Sequence, residues 1–216
     1  MKRLKIFTAP IILLFIYLLA LAFIGNMLPA DARIPIHWNA AGQIDGYASR
    51  STALIFAFVL VPAMFLLLYL LPYYSPKYKQ QAARFDHVLP YLTFMLVLFL
   101  ALLNLYGLCY PLGADSLPFN PVLIIIGLMM LFLGNLLPKL PRNFFVGIRT
   151  PWTISDEDNW YKTHRVGGRC FLFAGLMLIL KGFLSISPAA QNISTWLALA
   201  LLLYPLLYSF ILFKKS

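Results

Sequence analysis

Residues 138–169 read PKLPRNFFVGIRTPWTISDEDNWYKTHRVGGR, and the runs on both sides of them are long and apolar. The stretch holds Lys139, Arg142, Arg149, Lys162, Arg165 and Arg169, the acids Asp156, Glu157 and Asp158, two tryptophans and His164. A charged island between two such runs is a loop between membrane spans, and this decides the fold class. The chain is 62% hydrophobic and only 11% charged, where a soluble domain carries about 25% charged residues. In lipid every backbone polar group must be satisfied internally, which leaves helices or closed barrels. The runs are continuous rather than alternating, so they are helices. The expected fold is an all-α polytopic membrane protein, a six-transmembrane-helix bundle with a cytoplasmic interfacial helix between spans four and five.

Working outward from the island, the spans fall at about 6–28, 52–71, 88–110, 121–137, 170–184 and 193–213. The first run is longer than the roughly 7–15 residues of a signal-peptide core, so an uncleaved span is preferred over a cleaved leader. Asn104 is expected to bond a neighbouring helix, and Gly134-Asn135 to permit close packing. Lys181 is the ionisable residue inside a span, and snorkelling to the interface is its expected fate. Tyr73, Tyr74 and Tyr78 form an interfacial belt beside Lys77, Lys79 and Arg84. Cys109 and Cys170 fall at opposite membrane faces and are not expected to pair.

The net charge of +10 is read by location rather than as a nucleic-acid signal. Fourteen of the 17 Lys and Arg lie on one side of this topology, in the N-terminus, the second loop, the island and the tail, against Arg33 and Arg50 on the other. The asymmetry places both termini and the island in the cytoplasm and loop 29–51 outside. The expected location is the cell membrane, multi-pass.

Within the island, Ser155 and Asp158 fit a capping box. The three acids suit a helix N-terminus, and Asp158–Lys162 is a favourable i,i+4 pair. A helix over about 156–166 is expected, with Trp160, Thr163, His164 and Gly167 on one face in the headgroup layer. Gly167-Gly168 then offers a hinge or close packing. Arg149, set among apolar neighbours, calls for a carboxylate, carbonyl or phosphate partner.

Loop 29–51 contains partial alternation over 34–38 and turn signals at 39–42 and Asp45-Gly46, so a small hairpin or compact loop is expected. His37 with Asp31 and Asp45 matches no metal-ligand spacing, and a polar turn with an interfacial His-Trp pair is the preferred reading. No metal and no cofactor are expected.

Three runs carry a resemblance: Asn135-Leu-Leu-Pro138, then Asn143-Phe-Phe-Val-Gly147-Ile-Arg149-Thr-Pro151-Trp152-Thr, then Trp160-Tyr-Lys-Thr163-His164-Arg165 with Gly167-Gly168. Together they resemble the SdpI family. Loop one, with Ile34-Pro35-Ile36-His37-Trp38-Asn39 and Gly42-Gln-Ile-Asp45-Gly46-Tyr47, resembles the module that often precedes it. The resemblance implies a bacterial membrane protein with two modules. Residues 1–120 would hold three spans and the extracellular loop 29–51, and residues 121–216 three spans and the island.

The resemblance also implies an immunity and signal-relay function: resistance to a secreted toxic peptide outside, and binding of an ArsR-type repressor inside, with no direct nucleic-acid contact. The candidate partner-binding residues are Asn143, Gly147, Arg149, Pro151, Trp152, Trp160, Thr163, His164, Arg165 and Gly168. The candidate outer set is His37, Trp38, Asn39, Gly42 and Asp45. A small transporter or flippase is the alternative, though the spans offer few polar groups and no internal repeat. A membrane enzyme using His164 ranks last, because no HExxH, GxSxG, P-loop or CxxC pattern is present.

Overall fold

The computed structural model describes residues 5–74, 82–144, 146–184 and 187–215. Six helices among the described residues are long and apolar enough to cross a membrane. The protein is an all-α polytopic membrane protein carrying one small hairpin. Its elements are α1 (Thr8–Met27), β1 (Arg33–Trp38), β2 (Ile44–Ser49), α2 (Arg50–Tyr74), α3 (Ala82–Cys109), α4 (Pro121–Leu136), α5 (Pro151–Ser155), α6 (Glu157–Phe183) and α7 (Pro188–Lys215). Lys77, Tyr78 and Lys79 of the expected basic second loop lie outside the described residues. Two compact units emerge, one within Met1–Tyr74 and Leu89–Ile125, the other within Ser75–Val88 and Ile126–Ser216.

In the first unit, α1 and α2 pack antiparallel. The Phe7 ring meets Tyr69 edge-on at 5.1 Å, the Tyr17 hydroxyl donates to the Ala57 carbonyl at 2.9 Å, and Gly25 faces Leu54. Arg50 reaches back to donate to the Gly25 carbonyl at 2.9 Å, a cation on the carbonyl end of α1 where the helix dipole favours it.

The expected hairpin is present: β1 and β2 pair antiparallel, Arg33 opposite Ser49 and Trp38 opposite Ile44. The turn is built by Asn39, whose side-chain oxygen accepts from the backbone N–H of Ala41 and Gln43, with Gly42 at φ 79°. Asp45-Gly46, a turn signal in the sequence, lies instead inside β2. Gly46 sits opposite His37, whose Cβ would lie 3.0 Å from a Cβ added there, a tight contact. The hairpin is fixed to its own unit at two points. A Cβ on Gly107 would lie 2.6 Å from the Pro35 carbonyl oxygen, and Asn120 donates to the Gly42 carbonyl at 2.9 Å.

In the second unit, α4 and α6 approach through glycine. A Cβ on Gly127 would lie 2.7 Å from the Gly175 carbonyl oxygen, one on Gly175 would lie 2.7 Å from the Gly127 carbonyl oxygen, and Gly134 and Gly168 repeat the same reciprocal geometry. Only glycine lets two backbones meet this closely, and such approaches drive helix association where lipid removes the hydrophobic incentive. The close packing expected at Gly134 is therefore found. Gly167-Gly168 is not a hinge, because α6 runs unbroken from Glu157 to Phe183.

Two polar residues of the spans depart from expectation. Asn104 bonds the Leu100 carbonyl of its own helix at 2.7 Å rather than a neighbour. Lys181 does not snorkel. It is 7% exposed and donates to the Thr195 hydroxyl of α7 at 2.6 Å. In lipid an inward hydrogen bond competes well with a stretched side chain, because the ammonium carries its donors to a partner. Cys109 and Cys170 are free thiols.

Candidate functional site

The island closes on α6 and α7 as a latch. The chain leaves α4 through a 3-10 turn, Leu137–Lys139, and enters a loop folded around Asn143. That side chain is 1% exposed. Its amide donates to the carbonyls of Pro141 and Val146, and its oxygen accepts from the Val146 N–H at 2.7 Å. An asparagine can close a loop on itself in this way because it carries donor and acceptor at fixed separation. Gly147 follows at φ 120°, with the Trp160 ring and His164 in the space that a Cβ would occupy.

His164 is the centre of the latch and is fully buried. Its Nε2 accepts from the Ile148 N–H at 3.0 Å, which puts the ring proton on Nδ1, within 2.7 Å of the Trp160 carbonyl. The tautomer is thus set by its two partners. Neither nitrogen is left for proton transfer to a substrate. Trp160 stacks on the imidazole at 4.0 Å between centroids, and its indole N–H donates to the Leu140 carbonyl at 2.9 Å. Ring and loop are therefore held together from both ends of the indole.

A second cluster ties the latch to α7. Thr150 caps α5, accepting from the Thr153 N–H while the Thr153 hydroxyl accepts from the Thr150 N–H. The Thr150 hydroxyl lies 3.1 Å from the Ser209 hydroxyl. Asn159 donates to the Ser209 carbonyl at 2.9 Å and accepts from the Thr163 hydroxyl. Trp152 packs edge-on against Phe210 and Phe213. Buried polar groups must be paired, and each of these is.

Several expectations are corrected here. Trp160, Thr163 and His164 do not lie in a headgroup layer, since all three are buried in protein. The helix over 156–166 is not a separate element but the first turns of α6. The short helix between the fourth and fifth spans is α5. Its neighbour α6 is capped by Asp156, whose carboxylate accepts from the N–H of Asp158 and Asn159, and not by Ser155, which donates to the Trp152 carbonyl. Arg149 finds a carbonyl, that of Phe144. Thr150, Thr153 and Ser209 were missed as latch residues. Their signal was a run of small polar residues facing an apolar span, readable only once Ser209 was known to lie opposite.

The structure therefore divides the inner candidates. Asn143, Gly147, Trp160, Thr163, His164 and Gly168 build the latch and its glycine contact. Arg149, Pro151 and Arg165 are exposed, and Trp152 is half-buried against α7. Lys162 is exposed and pairs with Asp158 at 2.7 Å. Of the outer set, His37 and Asp45 are exposed and joined at 2.5 Å, Trp38 lies tilted on Tyr106 at 6.0 Å, and Asn39 and Gly42 form the turn. Among the described residues no group of three His, Cys, Asp or Glu is arranged to hold a metal. Beside the latch lies an apolar recess of ≈170 Å3, walled by Leu133, Leu137, Leu140, Val146, Ile148 and Phe171 among others.

Residues 139–212 match the SdpI/YfhL protein family, a segment that contains the whole latch from Leu140 to Ser209. Residues 11–61, which include the hairpin, match a domain of unknown function, DUF1648. The chain is 30% identical over 96 residues to the immunity protein SdpI of Bacillus subtilis (strain 168), a match covering 40% of this chain and 46% of that protein. It thus spans about half the length of that relative. No solved structure matches.

Proposed function

We propose that this chain, whose residues 139–212 match the SdpI/YfhL protein family, is a membrane immunity protein that protects its cell from a secreted toxic peptide. The observation that carries this reading is the overlap between that matched segment and the latch, together with the name of the relative from Bacillus subtilis. In the proposed orientation both termini and the island face the cytoplasm, as the Lys and Arg asymmetry supports, and the hairpin faces the toxin.

The relay to a cytoplasmic repressor runs, in this proposal, through exposed groups alone. Arg149, Arg165 and the acids Asp156, Glu157 and Asp158 are exposed. Trp160 and His164 are buried and act by holding Arg149 in place. Electrostatic complementarity on such a surface governs partner choice and encounter.

The test is survival of a toxin-sensitive host expressing this chain, with membrane insertion checked by fractionation. Protection is expected from the wild type. Arg165→Glu is expected to keep protection while weakening capture of a co-expressed repressor. Killing at the same toxin dose as the empty host, with the protein present in the membrane, rejects the immunity reading.

A further inference from the structure

We propose that the recess beside the latch is a binding site for one anionic phospholipid, part of one acyl chain lying in the recess and its phosphate on Arg149 and Lys139. The walls are apolar throughout, with Leu133 and Leu137 from the end of α4 and its 3-10 turn, Val146 and Ile148 from the loop, and Phe171 from α6. No acid lines it. It lies where the apolar run of α4 gives way to the charged island, the depth at which a lipid changes from hydrocarbon to headgroup.

Two exposed cations adjoin these walls in the chain, Lys139 beside Leu140 and Arg149 beside Ile148. Arg149 is oriented rather than consumed. One of its nitrogens donates to the Phe144 carbonyl, and the guanidinium has further donors in a fixed fork suited to phosphate. Lys139 likewise uses one donor, to the Asn135 side-chain oxygen at 3.0 Å, and keeps two others. An apolar slot whose wall residues Leu140 and Ile148 are flanked in the chain by two exposed cations is complementary to a molecule with a hydrocarbon tail and a negative head. A neutral lipid satisfies only the slot. A soluble anion satisfies only the cations. The latch gives the site its shape, because Gly147 and Ile148 are both wall residues and His164 fixes the Ile148 backbone.

The experiment is native mass spectrometry of the purified chain in detergent, titrated with dioleoyl phosphatidylglycerol or with dioleoylglycerol, which has the same tails and no phosphate. One phosphatidylglycerol per chain is expected, bound about 25-fold tighter than dioleoylglycerol, as two headgroup cations at about fivefold each allow. Arg149→Gln is expected to cut that preference about fivefold and leave dioleoylglycerol binding unchanged. Val146→Phe, which fills the recess, is expected to weaken both lipids. Leu133→Phe serves the same purpose if Val146→Phe loses its helical circular dichroism.

Equal binding of the two lipids overturns the proposal. So does an unchanged preference in Arg149→Gln, or undiminished binding in a folded recess-filling variant. A lipid-free dimer that the recess-filling variant dissociates also overturns it, since a second copy then occupies the slot. The assay reads purified protein and is independent of whether the chain confers immunity.

Discussion

Replacing His164 by alanine tests the latch directly. The substitution removes the acceptor of the Ile148 N–H and the donor to the Trp160 carbonyl. The carbonyl keeps its place in the helix ladder. The Ile148 N–H sits in a part-buried loop and loses its partner, at a cost of about 1–3 kcal/mol. The indole of Trp160 loses a stacked ring at 4.0 Å, worth about 0.5–1.5 kcal/mol. Those terms give a loss of about 1.5–4.5 kcal/mol, before any relaxation of the cavity left behind.

His164→Phe separates the terms, because it keeps the ring and removes the acceptor. It should lose only the first. The assay is reversible unfolding of the purified protein in mixed micelles with increasing sodium dodecyl sulfate, followed by tryptophan emission and circular dichroism. A loss below about 0.5 kcal/mol for His164→Ala, the range of an ordinary surface substitution, refutes the latch. It would mean that the imidazole is spare and free for a ligand.

Three further outcomes follow from the geometry. Gly168→Ala places a methyl 2.7 Å from the Gly134 carbonyl oxygen and should cost about 1–3 kcal/mol by overpacking, measured in the same unfolding assay. Thr195→Val removes an acceptor from the buried Lys181 ammonium and should destabilise more than Lys181→Met, because the apolar replacement removes the buried charge along with its partner; additive losses in the double variant would show that the pair carries no coupling. Asn120→Ala removes both the bond to the Gly42 carbonyl and an acceptor for the Leu123 N–H, so limited proteolysis of the hairpin should accelerate by about tenfold, the effect of a loss near 1.4 kcal/mol.

The spans were readable because length and apolar continuity are one-dimensional properties. The hairpin was readable from Asn39 and Gly42, whose turn chemistry is local. What the residues did not disclose is pairing at a distance. His164 meets Ile148 across 16 residues and Thr150 meets Ser209 across 59. A histidine near cations and tryptophans looks interfacial until its partners are known, and the carbonyl that accepts from Trp160 belongs to Leu140. The Gly167-Gly168 pair stayed open between hinge and packing for the same reason. Glycine signals either freedom or contact, and only the reciprocal carbonyl of Gly134 decides for contact.

Ser209 receives two side chains that precede it by 59 and 50 residues, Thr150 and Asn159. A ribosome delivers these residues in order, at about 5–20 residues per second. For seconds after α6 has emerged, its amide and the threonine hydroxyl lack their native counterpart. The nascent second unit is then an unfinished surface inside the bilayer, a recognisable client for the chaperones and proteases that survey insertion. Synthesis of α7 ends that interval, so a premature stop between Asn159 and Ser209 should be read by the cell as damage rather than as a shorter protein.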